Sequence, residues 1–160
     1  MPPFFFKVKT LIHNRVELCR NQANSKTLLR MQSGWVVLGD TQFLRGYCLL
    51  LPDPVVSSLN CLSLKERQIF LLEMSLIGDA IQTVTQCKRI NYEILGNTEE
   101  ALHAHIFPRY STEPPEMQCR PVWFYSREHR DNFEFKVGLH SGLMNELREE
   151  ILKLQNLESS

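Results

Sequence analysis

The sequence lacks an excess of charge of either sign. Among 160 residues, 18 lysine and arginine residues balance 18 aspartate and glutamate residues, so the formal net charge at pH 7 is zero. A protein that binds a polyanion such as duplex DNA needs a positive field, because the phosphate backbone supplies much of the binding free energy. We therefore expect no nucleic-acid polymer as a partner, and any anionic ligand must be small and held by a local site.

Long hydrophobic runs are also missing. The apolar residues within MPPFFFKVKT (1–10) form too short a run to span a bilayer, which takes about 20 apolar residues, and no positive segment precedes them as in a secretory signal. No other stretch of the chain is long and apolar enough for a membrane helix. We therefore expect a soluble protein that does not insert into a membrane.

Paired cysteines are absent too. The five cysteines are odd in number, lie far apart and form no C-x-x-C pair. This pattern is typical of reduced thiols rather than of a disulfide framework, and it indicates a cytoplasmic protein. The cysteines are Cys19, Cys48, Cys61, Cys87 and Cys119.

Internal repeats, low-complexity tracts and linkers are likewise missing. A chain of 160 residues can bury one substantial core, so we expect a single domain over residues 1–160. The spacing of apolar residues predicts one or two short helices within 10–31, and short apolar runs predict strands at 33–40 and 46–53.

A long helix is predicted to begin at the sequence SLKE. Ser63 can accept a hydrogen bond from the amide of Glu66 while the Glu66 side chain reaches back to the amide of Ser63, which is the capping-box arrangement. Apolar residues then recur every three or four positions as far as Cys87, which predicts a helix that packs on a sheet.

The remaining elements follow from weaker patterns. Alternating apolar residues predict two half-buried strands on either side of a loop at 96–100. Further strands are predicted near 121–125 and 133–137. Leucine and isoleucine residues on one face predict a C-terminal helix over 141–157.

Two histidines, His103 and His105, stand one residue apart on the second of the two half-buried strands. If the loop closes a hairpin, Glu93 lies opposite His103 and Asn91 lies opposite His105. Cross-strand partners share a face, so these four residues form one polar patch, with the apolar residues of both strands on the reverse face. A register slip of two residues keeps this division.

The chemistry of such a histidine pair leaves three interpretations open. Cβ atoms two strand positions apart are separated by about 6–7 Å, so a phosphate group fits between the rings, with one nitrogen attacking phosphorus and the other donating to an oxygen. The pair could equally be hydrogen-bonded sheet histidines or two metal ligands, although His13, His129 and His140 show no spacing that adds ligands. Glu93 is either a solvated strand residue or a group that orients His103.

The stretch ALHAHIFPRY (101–110) resembles the signature of the histidine triad superfamily, in which three histidines alternate with apolar residues. Ala101 stands where the first histidine of that signature belongs. The preceding NYEILGN and the trailing PRY are similar to the branch that contains dinucleoside polyphosphate hydrolases. The resemblance is most specific over 88–110, is looser over the two early strands and the long helix, and does not extend to 1–30 or 111–160.

The resemblance implies an α+β fold, in which an antiparallel sheet carries the signature strand and a long helix packs on it. The element order read from the sequence agrees with this fold and adds the C-terminal helix. Dimers are common in the family, so the resemblance also implies a homodimer. Its members act on small-molecule nucleotides, and the segment LPDPVV (51–56) lacks the basic or histidine residue frequent there in the family.

The resemblance also assigns roles to the polar residues. His103 falls on the position whose imidazole attacks the α-phosphorus of a nucleotide to form a nucleotidyl-histidine intermediate, which water then hydrolyses. His105 falls on the position that contacts phosphate oxygens and assists the leaving group. Asn91 and Asn97 resemble residues that lie near the phosphate.

The activity implied by these roles is hydrolysis or transfer at the α-phosphate of an adenosine-containing substrate, with diadenosine polyphosphate as the leading candidate. The resemblance implies no protein-bound cofactor or metal, and Mg²⁺ would enter only with the polyphosphate. Two alternatives stay open. One is a phosphoramidate hydrolase with the same intermediate and an amine leaving group, and the other is a nucleotide-binding module whose catalysis is weakened or lost because of Ala101.

Overall fold

An antiparallel sheet with helices on both faces forms the body of the protein. The computed structural model describes residues 9–158, so the apolar run within 1–8 lies outside the described residues. The elements are, in chain order, α1 (Leu11–Arg20), β1 (Thr27–Arg30), β2 (Gly34–Leu38), β3 (Cys48–Pro52), α2 (Leu64–Thr85), β4 (Arg89–Glu93), β5 (Ala104–Arg109), α3 (Arg127–Asp131) and α4 (Val137–Glu158). The strand order is β1-β2-β3-β5-β4, which confirms the α+β fold.

The two long helices, α2 and α4, pack on one face of the sheet and enclose the larger core. Ile77 and Ile81 of α2 and Leu147 and Ile151 of α4 are fully buried, in one cluster with Ile106 of β5. This packing follows from the apolar stripe on each helix, which must be covered to stabilise the fold. Within residues 9–158, no helix combines the length and apolarity needed to cross a membrane.

The edge strand β4 is held close to α2 at a glycine. A Cβ atom on Gly78 would lie 2.0 Å from the hydroxyl oxygen of Tyr92. Any side chain at this position would therefore push β4 away from the helix. Because successive residues of a strand face opposite sides, the contact of Tyr92 with α2 leaves Asn91 and Glu93 on the other face of the sheet.

A second, smaller core lies on that other face. Ile12 and Val16 of α1 pack there with Leu49 of β3, Phe107 of β5 and Ala101 of the loop before β5. Since residues two apart on a strand share a face, His105 lies on the same side as Phe107. The two histidines are therefore on the face covered by α1, opposite the long helices.

The predicted start of α2 is confirmed in detail. The Ser63 hydroxyl accepts from the amide of Glu66 at 3.3 Å, and the Glu66 carboxylate accepts from the amide of Ser63 at 2.8 Å. The strands predicted at 33–40 and 46–53 and the C-terminal helix are confirmed as β2, β3 and α4.

Part of the prediction for residues 10–31 is wrong. A single helix, α1, is followed by strand β1 at the edge of the sheet rather than by a second helix. Leu28 is buried in the larger core, and the strand pairs with β2, where Leu29 lies opposite Val36. Pairing with a distant strand and burial in the core thus override the local helical spacing.

The segment after β5 also differs from the prediction. Val122–Phe124 is a 3-10 turn rather than a strand, and Pro121 before it has no N–H to donate to a ladder. Near 133–137 the structure contains a single β-bridge, from Glu134 to Thr41, in place of a strand. Between these two segments lies α3, which begins where the Ser126 hydroxyl accepts from the amide of His129 at 3.1 Å.

The pairing of β4 and β5 is shifted by two residues from the predicted register. Glu93 lies opposite His105, and Asn91 lies opposite Phe107. The shift arises because residues before Ala104 pair elsewhere: the amide of Leu102 donates to the carbonyl of Val56 at 2.7 Å, in the loop after β3. The predicted division into a polar and an apolar face survives, since the shift is an even number of residues.

Candidate active site

His103 lies just before β5 and is held by a backbone hydrogen bond. Its Nδ1 atom is 2.7 Å from the carbonyl oxygen of Ala101. A carbonyl oxygen can only accept, so Nδ1 carries the proton and donates it. In the neutral ring the lone pair is then on Nε2. His103 is 8% exposed, so the oriented ring is largely buried.

The contact also explains how the site is built with alanine at position 101. Ala101 is fully buried in the smaller core. Its amide donates to the carbonyl of Glu99 at 2.7 Å, and its own carbonyl orients His103. The group that holds His103 therefore belongs to the backbone, and every residue type at position 101 supplies it.

His105 is held by a tyrosine. The hydroxyl of Tyr47 lies 2.7 Å from Nδ1 of His105. Burial, followed by the charges of His103 and Arg15, lowers the pKa of His105 to about 3. Burial also raises the pKa of Tyr47. Both side chains are consequently uncharged at neutral pH.

Aromatic rings pack around His105. The ring centroids of His103 and His105 are 4.8 Å apart at an interplanar angle of 75°. Phe107 stacks on His105 with a centroid distance of 5.6 Å, and Trp123 meets His105 edge-on at 5.2 Å. The indole N–H of Trp123 donates to the carboxylate of Glu93. The strand partner of His105 is thus tied to a ring that covers the site.

Two clefts meet at the histidine pair. One measures about 450 Å³ and the other about 340 Å³. Both are lined by Glu99, His103, His105 and Trp123. A ligand bound across the pair would therefore have space in two directions.

The two clefts differ in chemistry. The larger has an apolar wall and a charged rim, whereas the smaller is formed mainly by the loop 95–99. Apolar contacts in the larger cleft come from Leu11, Ile12, Phe43 and Leu49, and the charged side chains at its rim are Arg15, Asp40, Arg127, Arg130 and Asp131.

The cations at the rim are paired to different degrees. Arg15 forms an ion pair with Asp40, which also binds Lys26 at 2.8 Å. Although burial raises the pKa of Asp40, the hydrogen bond from Lys26 and the charge of Arg15 outweigh it, so the pKa is lowered. The guanidinium carbon of Arg130 lies over the Trp123 ring, 5.4 Å from its centroid, and among the described residues its buried Nε has no hydrogen-bond partner.

The structure brings four of the five residues expected at the site close together. His103, His105 and Asn97 line the smaller cleft, and Glu93 pairs with His105 across the strands. Asn91 instead lines a separate cavity of about 470 Å³. Its side-chain oxygen accepts from Arg109 at 2.9 Å, so a phosphate role for Asn91 stays a prediction with no support from its position.

Sequence reasoning missed several residues that shape the site. Tyr47 had an available signal, because it lies two positions before Leu49, and Leu49 pairs with His105. Residues two apart on a strand share a face, so a pairing of β3 with β5 would have placed Tyr47 near His105. Trp123 and Arg130 gave no such signal, since they belong to segments outside the sheet.

A metal site of three or more ligands is not formed by the residues that the structure describes. Within 9–158, no three side chains of histidine, cysteine, aspartate or glutamate converge. The histidine pair therefore stands without additional protein ligands of these types in that part of the chain.

No protein-family model matches the sequence, and no curated protein matches it either. Solved structures do share its fold. A histidine triad protein from Marinobacter aquaeolei is 19% identical over 92% of this chain and 99% of the other, with a TM-score of 0.71. One from Bradyrhizobium japonicum is 21% identical over 82% and 94%, with a TM-score of 0.68.

An enzyme is also among the similar structures. Plasmodium falciparum diadenosine triphosphate hydrolase, solved in complex with Cyclomarin A, is 15% identical over 81% of this chain and 78% of the other, with a TM-score of 0.56. At such identities the likeness concerns the fold. The chain therefore has the fold of histidine triad proteins. Its own His103 just before β5 and His105 on β5 line both clefts.

Proposed function

We propose that the protein is a nucleotide hydrolase that cleaves at the α-phosphate of an adenosine-containing substrate, with diadenosine polyphosphate as the substrate class. The observation that carries the proposal is the hydrogen bond from Nδ1 of His103 to the carbonyl of Ala101. It leaves the lone pair on Nε2, beside a second histidine and at the junction of two clefts. An imidazole so oriented is a nucleophile that needs no prior deprotonation.

The reaction then has two steps. In the first, Nε2 of His103 forms a bond to the α-phosphorus, and the bond from phosphorus to the bridging oxygen breaks with its electron pair on the departing polyphosphate. The ring keeps its Nδ1 proton, and the Ala101 carbonyl stabilises the positive charge that develops. In the second, water attacks phosphorus, its proton leaves to solvent, and the electron pair of the N–P bond returns to Nε2.

The clefts suggest how the substrate lies. An adenosine moiety fits the larger cleft, where Phe43 and Leu49 offer apolar surface. The α-phosphate then lies between His103 and His105, and His105 donates to its oxygens. A similar fold in a protein described as a diadenosine triphosphate hydrolase supports this assignment of substrate class.

Trapping the intermediate tests the proposal. The protein is mixed with diadenosine tetraphosphate, quenched in base, and digested, and the peptide that contains His103 is examined for the added mass of AMP. We expect the adduct in the wild type and none in His103→Ala. His129→Gln serves as the matched control, because His129 lines neither cleft, and it should form the adduct.

The outcomes separate the alternatives. Turnover by His103→Ala at the wild-type rate would contradict the role of His103. Binding of the nucleotide by the wild type, without adduct or turnover, would favour a nucleotide-binding module in place of an enzyme.

A further inference from the structure

Tyr47, in the segment between β2 and β3, is fixed more firmly than a packing residue requires. Its ring stacks on Phe107 with a centroid distance of 4.1 Å. A Cβ atom on Gly39 would lie 2.2 Å from the Tyr47 ring, so the ring fills the space of a side chain at that position. Tyr47 is 7% exposed, and among the described residues the hydrogen-bond partner of its hydroxyl is Nδ1 of His105, at 2.7 Å.

The direction of this hydrogen bond follows from what is buried. If Nδ1 of His105 carried the proton, the hydroxyl would have to accept it, and its own proton would need another acceptor. Among the described residues the hydroxyl of Tyr47 has no other partner, and a buried donor without an acceptor is costly. If the hydroxyl donates to Nδ1, both groups are satisfied, and the ring proton is on Nε2.

We propose that Tyr47 is a positioning residue that holds His105 as a neutral imidazole with its only N–H on Nε2, and that the site thereby favours substrates with an anionic leaving group over those that release an amine. The selectivity for the leaving group rests on the proposed function. The protonation of His105 concerns the protein alone and is measurable without any substrate.

The selectivity follows from the limits of a neutral donor. An imidazole N–H forms a hydrogen bond to an oxygen that gains charge, but it does not transfer its proton at neutral pH. A polyphosphate leaves as a stable anion once the P–O bond breaks. An amine leaves only after its nitrogen gains a proton, since the anion of an amine is far too basic. If His105 cannot act as an acid, the site therefore supports cleavage of a phosphoric anhydride but not of a phosphoramidate.

The surroundings keep His105 neutral over the ordinary pH range. Burial, and after it the nearby His103 and Arg15, lowers the pKa of His105 to about 3, so the ring stays uncharged well below pH 6. The negative groups nearby are directed elsewhere: Glu93 accepts from Trp123, and Glu99 accepts from the amide of Leu11 at 3.0 Å. The titratable and charged side chains that face the site are His103, Glu93, Glu99, Arg15, Tyr47, Asp40, Arg127, Arg130 and Asp131.

The protonation of His105 can be read by NMR spectroscopy. Protein labelled with ¹⁵N-histidine is examined by long-range ¹H–¹⁵N correlation, and the His105 signals are assigned by their loss in His105→Gln. We expect the Nε2–H form in the wild type, unchanged from pH 5 to pH 8. In Tyr47→Phe, which keeps the stacked ring and removes the hydroxyl, we expect a mixture of both neutral forms. An Nδ1–H form in the wild type, or no change in Tyr47→Phe, would overturn the proposal.

Kinetics test the consequence for the substrate. We expect the wild type to prefer diadenosine tetraphosphate over adenosine 5′-phosphoramidate in kcat/KM. Tyr47→Phe should lower kcat for the former by about tenfold or more, because His105 is no longer oriented, and should change KM far less. A wild-type preference for the phosphoramidate would overturn the selectivity while leaving the nucleophile of the proposed function intact.

A second buried tyrosine provides the matched control. The hydroxyl of Tyr125 donates to Glu113 at 2.7 Å, and Tyr125 lines neither cleft. Tyr125→Phe therefore removes a buried hydroxyl that contacts neither His103 nor His105. It should leave the NMR signals of His105 and kcat unchanged. If Tyr125→Phe alters both as much as Tyr47→Phe does, the effect of Tyr47 is general destabilisation and the proposal fails.

Discussion

At the scale of single residues, the ring of His103 depends on a backbone group at position 101 and not on a side chain there. The sequence shows an alanine in the place of a signature histidine, which suggests a site that has lost part of its support. The structure shows that His103 is oriented by the carbonyl of residue 101. A backbone contact of this kind leaves no trace in the residue type, so sequence reasoning could identify the two histidines but not what holds them.

Restoring a histidine at position 101 is therefore expected to harm rather than help. Ala101 is fully buried, and a larger ring must displace its neighbours, which costs about 1–3 kcal/mol. Ala101→His should lower the free energy of unfolding in urea by that amount and should not raise kcat. Ala101→Gly, which keeps the carbonyl, should retain adduct formation. If the Ala101→His variant had a higher kcat and an unchanged free energy of unfolding, a histidine side chain at position 101 would contribute to catalysis, contrary to this expectation.

The low pKa of His105 links folding to pH. In the unfolded chain this histidine titrates near 6.5, whereas in the folded protein its pKa is about 3. Between these values the unfolded state binds more protons, so the contribution of His105 to stability is present above pH 6.5 and is lost as the pH falls. The loss is at most about 1.4 kcal/mol for each pH unit.

Urea denaturation at a series of pH values checks this dependence. From pH 7 to pH 4.5 the wild type should lose more stability than His105→Gln, whose side chain does not titrate. Parallel pH profiles for the two proteins would show that the ring is not kept neutral by folding.

At the scale of elements, features that depend on residues close in sequence could be predicted, whereas the register of strand pairing could not. The cap of α2 depends on Ser63 and Glu66, three residues apart, and both predicted hydrogen bonds form. The register of β5 depends on Leu102 bonding to Val56, a contact between distant segments that no local pattern encodes. The loop before β5 is accordingly longer than predicted, and Glu93 faces His105 rather than His103.

The short helix α3 adds a cation to the site that the sequence did not indicate. Arg130 lies over Trp123, which contacts His105 edge-on. The Nε atom of Arg130 has no hydrogen-bond partner among the described residues. We expect Arg130 to bind phosphates of the substrate. Arg130→Gln should raise KM for diadenosine tetraphosphate about tenfold, as for the loss of a hydrogen bond to a charged group.

An arginine in a similar contact elsewhere provides the control for Arg130. The guanidinium carbon of Arg120 lies 5.3 Å from the centroid of the Phe124 ring but lines the separate cavity. Arg120→Gln should therefore leave KM unchanged. Equal effects of Arg120→Gln and Arg130→Gln would indicate a nonspecific effect of charge and contradict a local role for Arg130.

At the scale of the whole molecule, the sheet separates the tasks of stability and binding. The long helices α2 and α4 cover one face, and these could be predicted because their apolar spacing is regular over many turns. The clefts lie on the other face and draw on α1 and α3 as well as β5. Of α1, α3 and β5, the histidine triad signature covers β5 alone. It therefore indicated the two histidines but not the residues of α1 and α3 that line the larger cleft.

Because the larger cleft joins α1 and α3, which are far apart in the chain, ligand binding should stabilise the fold as a whole. A ligand at 100 times its Kd adds about 2.7 kcal/mol, which for a protein of this size corresponds to a rise in Tm of about 5–10 °C. His103→Asn, which cannot turn the substrate over, allows the measurement with diadenosine tetraphosphate by differential scanning calorimetry.

The two asparagines can be compared in that background. Asn97 lines the smaller cleft with the histidines, so His103→Asn combined with Asn97→Ala should show a smaller ligand-induced rise in Tm. The side-chain oxygen of Asn91 accepts a hydrogen bond from Arg109, and Asn91 lines the separate cavity. Asn91→Ser should therefore lower Tm without ligand, through the lost contact, yet keep the same rise on binding. A rise abolished by Asn91→Ser and kept by Asn97→Ala would instead place the phosphates along β4.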